Sequence, residues 1–318
     1  MNNKVFLGFD TSNYTTSIAI VDSSGEIIAN LKRPLTVKSG ERGLRQSDAV
    51  FSHIKNLPEL LLEAEEHLKD KTVLAVGVSS RPRAVEGSYM PCFLSGLAAA
   101  KSFSAGANAP IYEFSHQCGH LMSGIFTSGA DELLSGEPFC AFHVSGGTTE
   151  MLRVKSSGLG FSCELVGETA DLNAGQAIDR VGVKLGFSFP AGRELEAAAL
   201  MNREKIPRAK PKINDYKINL SGLENLADSL YSKSGSRELV SAFVLEYVKD
   251  AIILLADSYI QRFGNTKFLF AGGVMCNSLI RAALSERYDS YFATPETSSD
   301  SAVGIAALTR RAYFEKSK

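Results

Sequence analysis

Two of the five histidines in the chain, His116 and His120, stand four residues apart in the stretch SHQCGHLMSG. On a helix that spacing stacks both imidazoles on one face, as a metal ion requires of two ligands from one element. Ser115, directly ahead of the pair, is a residue type that caps helix starts. The pair is far less specific than HExxH, because two part-buried histidines satisfied by neighbours share the same spacing. A third, carboxylate donor would have to come from elsewhere in the chain. Two histidines and a carboxylate suit one divalent ion, Fe2+ or Zn2+, and ligand type does not separate the two.

Glycine-rich turns close strands in three places: Ser145-Gly146-Gly147-Thr148, Gly272-Gly273 and the polar turn after Asp10. Each leaves backbone N–H groups to face an anion and lets a ligand approach closely, although a tight hairpin looks the same. Neither a Walker A sequence nor GxGxxG is present, so P-loop and Rossmann readings lose support. Strand–turn–strand units flanking a cleft are instead the phosphate-clamping device of actin-like and sugar-kinase-like folds. Two acids stand out. Asp179, in AGQAIDRVG, sits on an apolar helix where a lone carboxylate needs a partner. Asp300, in TSSDSAVGIAAL, sits at a helix start, where an Asp is often only a cap. Arg203, Lys205, Arg208, Lys210, Lys212 and Lys217 cluster within fifteen residues, opposed only by Glu204 and Asp215. Such a loop could hold RNA phosphates, though a solvated loop is the commoner meaning.

The elements that must position these residues read as alternating strands and helices. VFLGFD, TSNYTT and SIAIVD form a hairpin, and EIIANLKR follows a further turn. Helical spacing runs from about Ser47 to Lys69, interrupted by Pro58. TVLAVGVSS returns as a buried strand and FLSGLAAAKSFSAG as a tightly packed helix. After the Gly/Ser/acid-rich segment Thr127 to Pro138 the opening device recurs: FCAFHVS, a GGTT turn and EMLRVKSS. Helices then follow at Ala174–Leu185, from about Arg237 to Arg262 and at Asn277–Arg287. The strands KFLFAGGV and YFATP fall in the same part, and a last helix begins near Ser299. The expectation is an α/β fold of two duplicated lobes around a cleft, residues 1–130 and 131–318, with the last helix packing back on the first lobe.

The chain has 318 residues, 34 basic against 35 acidic, a formal charge of −1 and 44% hydrophobic residues. No overall basicity advertises nucleic acid. No apolar run nears the ~18–20 residues of a membrane span, and MNNKVFLGFD lacks a signal-peptide pattern, so no membrane role is expected. Five cysteines without CxxC argue against a disulfide framework and for a reducing, cytoplasmic location.

In order along the chain, these segments resemble the TsaD family, the tRNA N6-threonylcarbamoyladenosine transferases with the actin-like ATPase (ASKHA) fold, from about Phe6 to Ala312. SHQCGHLMSG is similar to the HxxGH metal motif. TSSDSAVGIAAL is similar to the T-D-N-A segment, which implies Asp300 as third metal ligand beside His116 and His120. VSGGTTEM is similar to VSGGHTxL, GETADLNAGQAIDRVGVKLG to GET-DDAAGEAFDK, INLSGLENLA to FSFSGLK, and AGGVMCNSLIRAAL to GGVAAN-x-x-LR. The resemblance implies nucleotide or threonylcarbamoyl contacts at Ser145, Gly146, Gly147, Thr148, Asp179, Gly192, Gly272, Gly273 and Asn277. It also implies an adenine nucleotide or acyl-adenylate ligand, tRNA as partner and accessory protein subunits.

The departures are local. The family's ETSCDET is Asp10-Thr11-Ser12-Asn13-Tyr14-Thr15-Thr16 here, and the histidine after SGG is Thr148. The second Asp of DDA is Leu172, the Glu of GEA is Gln176, the Lys of SGLK is Glu224, and RGPG is Arg81-Pro82-Arg83-Ala84. This pattern suits a divergent paralogue better than the housekeeping enzyme. Two other readings stand beside threonylcarbamoyl transfer to tRNA adenine 37: carbamoyl transfer to a non-RNA acceptor, and a non-catalytic nucleotide-binding partner of a true family member. A protease reading has no support, since neither HExxH nor a Ser/His/Asp arrangement is visible.

Overall fold

A computed structural model of the chain describes residues 3–12, 14–36, 44–298 and 301–316. The chain opens with β1 (Lys4–Asp10), β2 (Thr15–Asp22), β3 (Ile27–Pro34), α1 (Gln46–Leu68), β4 (Thr72–Arg81), α2 (Phe93–Ala107), β5 (Ile111–Ser115) and α3 (His116–Ser128). It continues with β6 (Phe139–Val144), β7 (Thr149–Ser157), β8 (Gly160–Thr169), α4 (Ala174–Lys184), α5 (Gly192–Met201), β9 (Ile213–Asn214), β10 (Lys217–Ile218), α6 (Gly222–Ser234) and α7 (Arg237–Phe263). It closes with β11 (Phe268–Ala271), α8 (Ser278–Arg287), β12 (Ser290–Phe292), α9 (Pro295–Ser298) and α10 (Val303–Lys316). Two compact units result. The first takes the described residues up to Ser135, then Ser156–Ser162, then those from Glu296 on; the second takes Gly136–Lys155 and Cys163–Pro295.

The first unit's sheet has the order β3-β2-β1-β4-β5, with β1 antiparallel to β2 and parallel to β4. Both of its faces are apolar because both are covered. Val5, Leu7, Phe9, Ile18 and Ile20 meet Leu57, Leu60 and Ala64 of α1, whereas Ala19 and Val21 of the opposite face meet Ala302, Val303 and Ala306. That second layer is drawn tight by glycine. A Cβ at Gly8 of β1 would lie 2.5 Å from the Ala302 carbonyl oxygen, and one at Gly77 of β4 would lie 1.8 Å from Thr309 Oγ1. The sequence suggested a break at Pro58, yet α1 runs through it. Pro58 falls on the exposed side of the helix, where the freed carbonyl one turn back can bond water.

In the second unit the sheet order is β12-β11-β6-β7-β8-β10-β9. Its first five strands repeat the arrangement of the other sheet. β6 pairs antiparallel with β7 on one side and parallel with β11 on the other, just as β1 sits between β2 and β4. The core here is built on α7, whose fourteen buried residues include Phe243, Tyr247 and Tyr259, and which packs against α5, α6 and α8. Phe142, Phe268, Phe270 and Phe292 stack across β6, β11 and β12 at centroid separations of 5.0–6.3 Å. No helix among the described residues is long and apolar enough to cross a membrane.

Candidate functional site

In the first unit the chemistry gathers where β1 ends and α3 begins. α3 starts at His116, and Ser115 caps it as its residue type suggests, its Oγ accepting the Cys118 amide at 3.2 Å. The Gln117 amide donates to the Pro82 carbonyl at 3.0 Å, which ties the Arg81-Pro82-Arg83-Ala84 segment to the same helix start. The rings of His116 and His120 stand 4.3 Å apart, edge to face. The expected stacking of two imidazoles on one helix face is therefore what the fold produces. His116 is oriented by Asp10 at the end of β1: its Nδ1 lies 2.7 Å from the carboxylate, which is 1% exposed and also accepts the Ser12 amide at 2.7 Å.

Sequence reading missed this Asp10–His116 pair, since nothing in the spacing of residues 10 and 116 brings them together. The available signal was a carboxylate at the exit of β1, which is separated from β5, the strand feeding the histidine helix, only by the parallel strand β4. An ionised carboxylate can only accept, so His116 Nδ1 carries the proton and the lone pair of the neutral ring sits on Nε2. That is the tautomer and orientation of a metal-ligating histidine backed by a carboxylate. Ser12 Oγ and Ser79 Oγ, both buried, lack a hydrogen-bond partner among the described residues. The donor set, two adjacent imidazoles of which one is carboxylate-oriented, fits half of a divalent-metal site. Asp300, the expected third ligand, lies outside the described residues. Among the described residues no three His, Cys, Asp or Glu side chains form a metal-holding group.

In the second unit several of the residues singled out from sequence come together at the end of β6. Thr148 and Ser145 close the turn through a backbone bond of 2.7 Å, and the Gly147 and Thr148 amides both donate to Ser145 Oγ, at 3.2 and 3.1 Å. The Ser145 hydroxyl oxygen thus sits between two backbone amides. Added Cβ atoms on Gly146 and Gly147 would meet open space. Gly175 of α4 presses on the turn, because a Cβ there would lie 2.6 Å from the Gly146 nitrogen. Gly272 approaches from β11 at φ +100°, where a Cβ would lie 2.3 Å from the Val144 carbonyl oxygen. Thus the Ser145–Thr148 and Gly272-Gly273 turns are neighbours, and Gly273 faces open space.

Asp179, midway along α4, accepts the Ala191 amide at 2.8 Å and so fixes the entry to α5 at Gly192. Burial raises its carboxyl above the ordinary range, partly offset by that amide. Asn277 acts locally as the cap of α8, its Oδ1 accepting the Ile280 amide at 3.1 Å, and it is 7% exposed. A residue not singled out, Asp171, is a carboxylate ringed by hydrogen-bond donors. It accepts from the amides of Leu172 at 2.6 Å and Leu220 at 2.8 Å, from Ser221 Oγ at 2.6 Å and from Asn219 at 3.1 Å. Partial burial works against its charge, but these donors outweigh it and hold the carboxyl well below its usual range. It stitches the segment after β8 to the SGL turn that opens α6. Glu224, where the family has Lys, pairs with Lys184 at 2.7 Å and Arg180 at 3.6 Å. In the basic loop, Arg203 is held by the carbonyls of Leu200 and Asn202 and Lys217 pairs with Glu168 at 2.8 Å, while Lys205, Arg208, Lys210 and Lys212 are exposed.

Comparison with solved structures gives the class to which this architecture belongs. The chain superposes on HypF from T. kodakarensis with TM-score 0.62 at 12% identity, covering 99% of this chain and 48% of that one. It superposes on a ROK family glucokinase from Streptomyces griseus with TM-score 0.54 at 12% identity, covering 96% and 99%. These are actin-like ATPase folds, and the duplicated sheets above are that fold. A family profile described as TsaD, tRNA N6-adenosine threonylcarbamoyltransferase, matches residues 29–307. The chain belongs to that family. Among its relatives, the tRNA N6-adenosine threonylcarbamoyltransferase of Streptococcus gordonii is 29% identical over 90% of this chain and 84% of its own length. The one from Thermotoga neapolitana is 29% identical over 98% and 94%.

Proposed function

We propose that the protein transfers a threonylcarbamoyl group from threonylcarbamoyl-AMP to N6 of adenine 37 in tRNA. What carries the reading is the family match over residues 29–307 together with the carboxylate-oriented imidazole pair at the HxxGH motif. In the reaction the exocyclic amine attacks the carbamoyl carbon, the bond from that carbon to the AMP phosphate oxygen breaks, and the amine loses a proton. An adenine amine is a weak nucleophile, so the rate must come from holding and polarising the donor.

The chain's own residues divide this work. His116 and His120, with Asp300 from the far end of the chain, would hold a divalent ion, Fe2+ or Zn2+. When bound, that ion supplies Lewis-acid polarisation of the donor's oxygens. Asp10 keeps His116 in the ligating tautomer. In the Ser145–Thr148 turn, the Gly147 and Thr148 amides exchange the Ser145 hydroxyl for an anionic oxygen of the donor, and Gly146 and Gly147 leave room for it to come close. Gly272 and Gly273 shape the neighbouring wall for the adenosine, beside Asn277. Asp179, through Ala191, presents Gly192 to the same nucleotide. The exposed lysines and arginines between Arg203 and Lys212 meet the tRNA backbone, and accessory subunits complete the assembly in the cytoplasm.

The decisive experiment mixes purified protein, threonylcarbamoyl-AMP and unmodified tRNA, with and without the family's accessory subunits, and measures modified nucleoside by mass spectrometry. The modified nucleoside is expected from the wild type and not from His116→Ala. No product under the supplemented conditions overturns the reading. Carbamoyl-AMP turnover on a non-RNA acceptor would instead establish the small-molecule alternative.

A further inference from the structure

Remote in sequence from the glycine turns, the first unit carries a half-open cavity of about 550 Å³ between the β2–β3 turn, α3, the turn after it and α10. This is the size range of small-molecule sites. Met122, Phe126, Leu134 and Phe314 give it apolar walls, and Arg310 and Arg311 both line it.

The two guanidiniums are incompletely served by the protein. Arg311 donates from Nε to Glu315 at 2.7 Å and from Nη2 to Ser156 at 3.0 Å, but Nη1 is buried with no acceptor among the described residues. A buried donor on a cation left without an acceptor forfeits a charged hydrogen bond. Arg310 donates from Nε to the Ser23 carbonyl at 3.0 Å and lies 5.6 Å from the Phe314 ring, with no carboxylate in ion-pair contact among the described residues. The remaining acid of the lining, Asp131, is exposed, whereas both arginines are only partly so. The walls are firm: Phe314 is locked edge-on against Phe6 and Tyr313, each at 5.7 Å. Gly25, at φ +103°, keeps the turn close to Phe126 and Arg310.

We propose that this cavity is a binding site for a small amphipathic anion, a carboxylate or phosphate ester on an apolar or aromatic body. Its head would accept from the Arg310 fork, the planar geometry guanidinium offers to both oxyanions, with the Arg311 side chain adding positive charge to the same wall. Its body would lie between Phe126, Met122 and Phe314.

Isothermal titration of the wild-type protein with 3-phenylpropionate, phenyl phosphate, inorganic phosphate and neutral 3-phenylpropanol tests it. Saturable binding of one or both aromatic anions is expected, the stronger one naming the head group, with the alcohol and inorganic phosphate each at least about tenfold weaker. Arg310→Gln is expected to weaken the preferred anion by about tenfold with an unchanged melting temperature. Arg311→Gln, which also releases Ser156, is read alongside by nuclear magnetic resonance, where the wild-type ligand should perturb Met122 methyl signals. No saturable binding of either aromatic anion, equal binding of the alcohol, or anion binding indifferent to Arg310→Gln overturns the proposal.

Discussion

Two aspartates of the second unit respond to pH in opposite directions, and each sign follows from its surroundings. Asp171 is held below the usual carboxylate range by its ring of donors, so it binds its proton more weakly folded than unfolded. Its contribution is complete above the unfolded value, near 3.8, and is lost as pH falls through the lower folded value. Asp22, ringed by Ser24, Gly25 and Glu26, is also lowered despite some desolvation and adds to the same acid limb. Urea midpoints measured from pH 7 to pH 3 are therefore expected to fall at the acid end, and to fall less steeply in Asp171→Asn. An identical acid limb in that variant would show that the donors do not favour the charged form. Asp179 is the reverse case, raised by burial. Its charged form costs stability above the raised folded value, and the cost vanishes below the unfolded value of about 3.8. Asp179→Asn keeps an oxygen for the Ala191 amide and removes the charge. It is expected to raise the urea midpoint at pH 7, with the gain shrinking toward pH 4, while lowering transfer activity. A midpoint lowered at pH 7 would mean that the carboxylate is structural.

Between elements, glycine decides what can touch. α10 crosses α3 at Gly304, where an added Cβ would lie 1.8 Å from the Gly119 carbonyl oxygen. Gly119 sits between His116 and His120, so the glycine of HxxGH is there because another helix passes over it. A Cβ at 119 would in turn lie 2.9 Å from Ile305. Gly304→Ala must push backbone from backbone, and is expected to cost about 3 kcal/mol or more, seen as a lower urea midpoint. It should also shift the His116 and His120 ring resonances, because the histidine helix must move. Full stability in this variant would refute the close crossing. The same crossing shows what spacing could and could not reveal. The hairpins, α2, α7 and the Ser115 cap were legible because apolar period and cap chemistry are local. Asp10 beside His116, Gly304 on Gly119 and Asp171 beneath the SGL turn join residues 49 to 185 positions apart by chain pairing, which no local pattern records. Pro58 misled because exposure, invisible in sequence, lets water serve the carbonyl that proline leaves unbonded.

At the scale of the molecule, the first unit is assembled from both ends of the chain, and this separates its fate from that of the second. α10, together with the residue just before it, supplies Ala302, Val303 and Ala306 to the face of the first sheet carrying Ala19 and Val21, and this backbone fits against Gly8. Without it, that face loses its cover and β1, β2 and β4 expose apolar surface worth about 25 cal/mol per Å². None of the residues in the second unit's core, from Cys140 to Phe292, lies beyond position 292. A chain ending at Pro295 should thus keep its second core and lose its first. Hydrogen exchange read by mass spectrometry would show protection retained in α7, β6 and β11 and lost in β1, β2 and β4. It would also remove Asp300 and the crossing over Gly119, so the imidazole pair should lose order along with the sheet. Protection kept in β1 and β4 of the truncated chain would mean that α1 and α2 suffice to hold the first sheet, and that α10 serves some purpose other than completing its core.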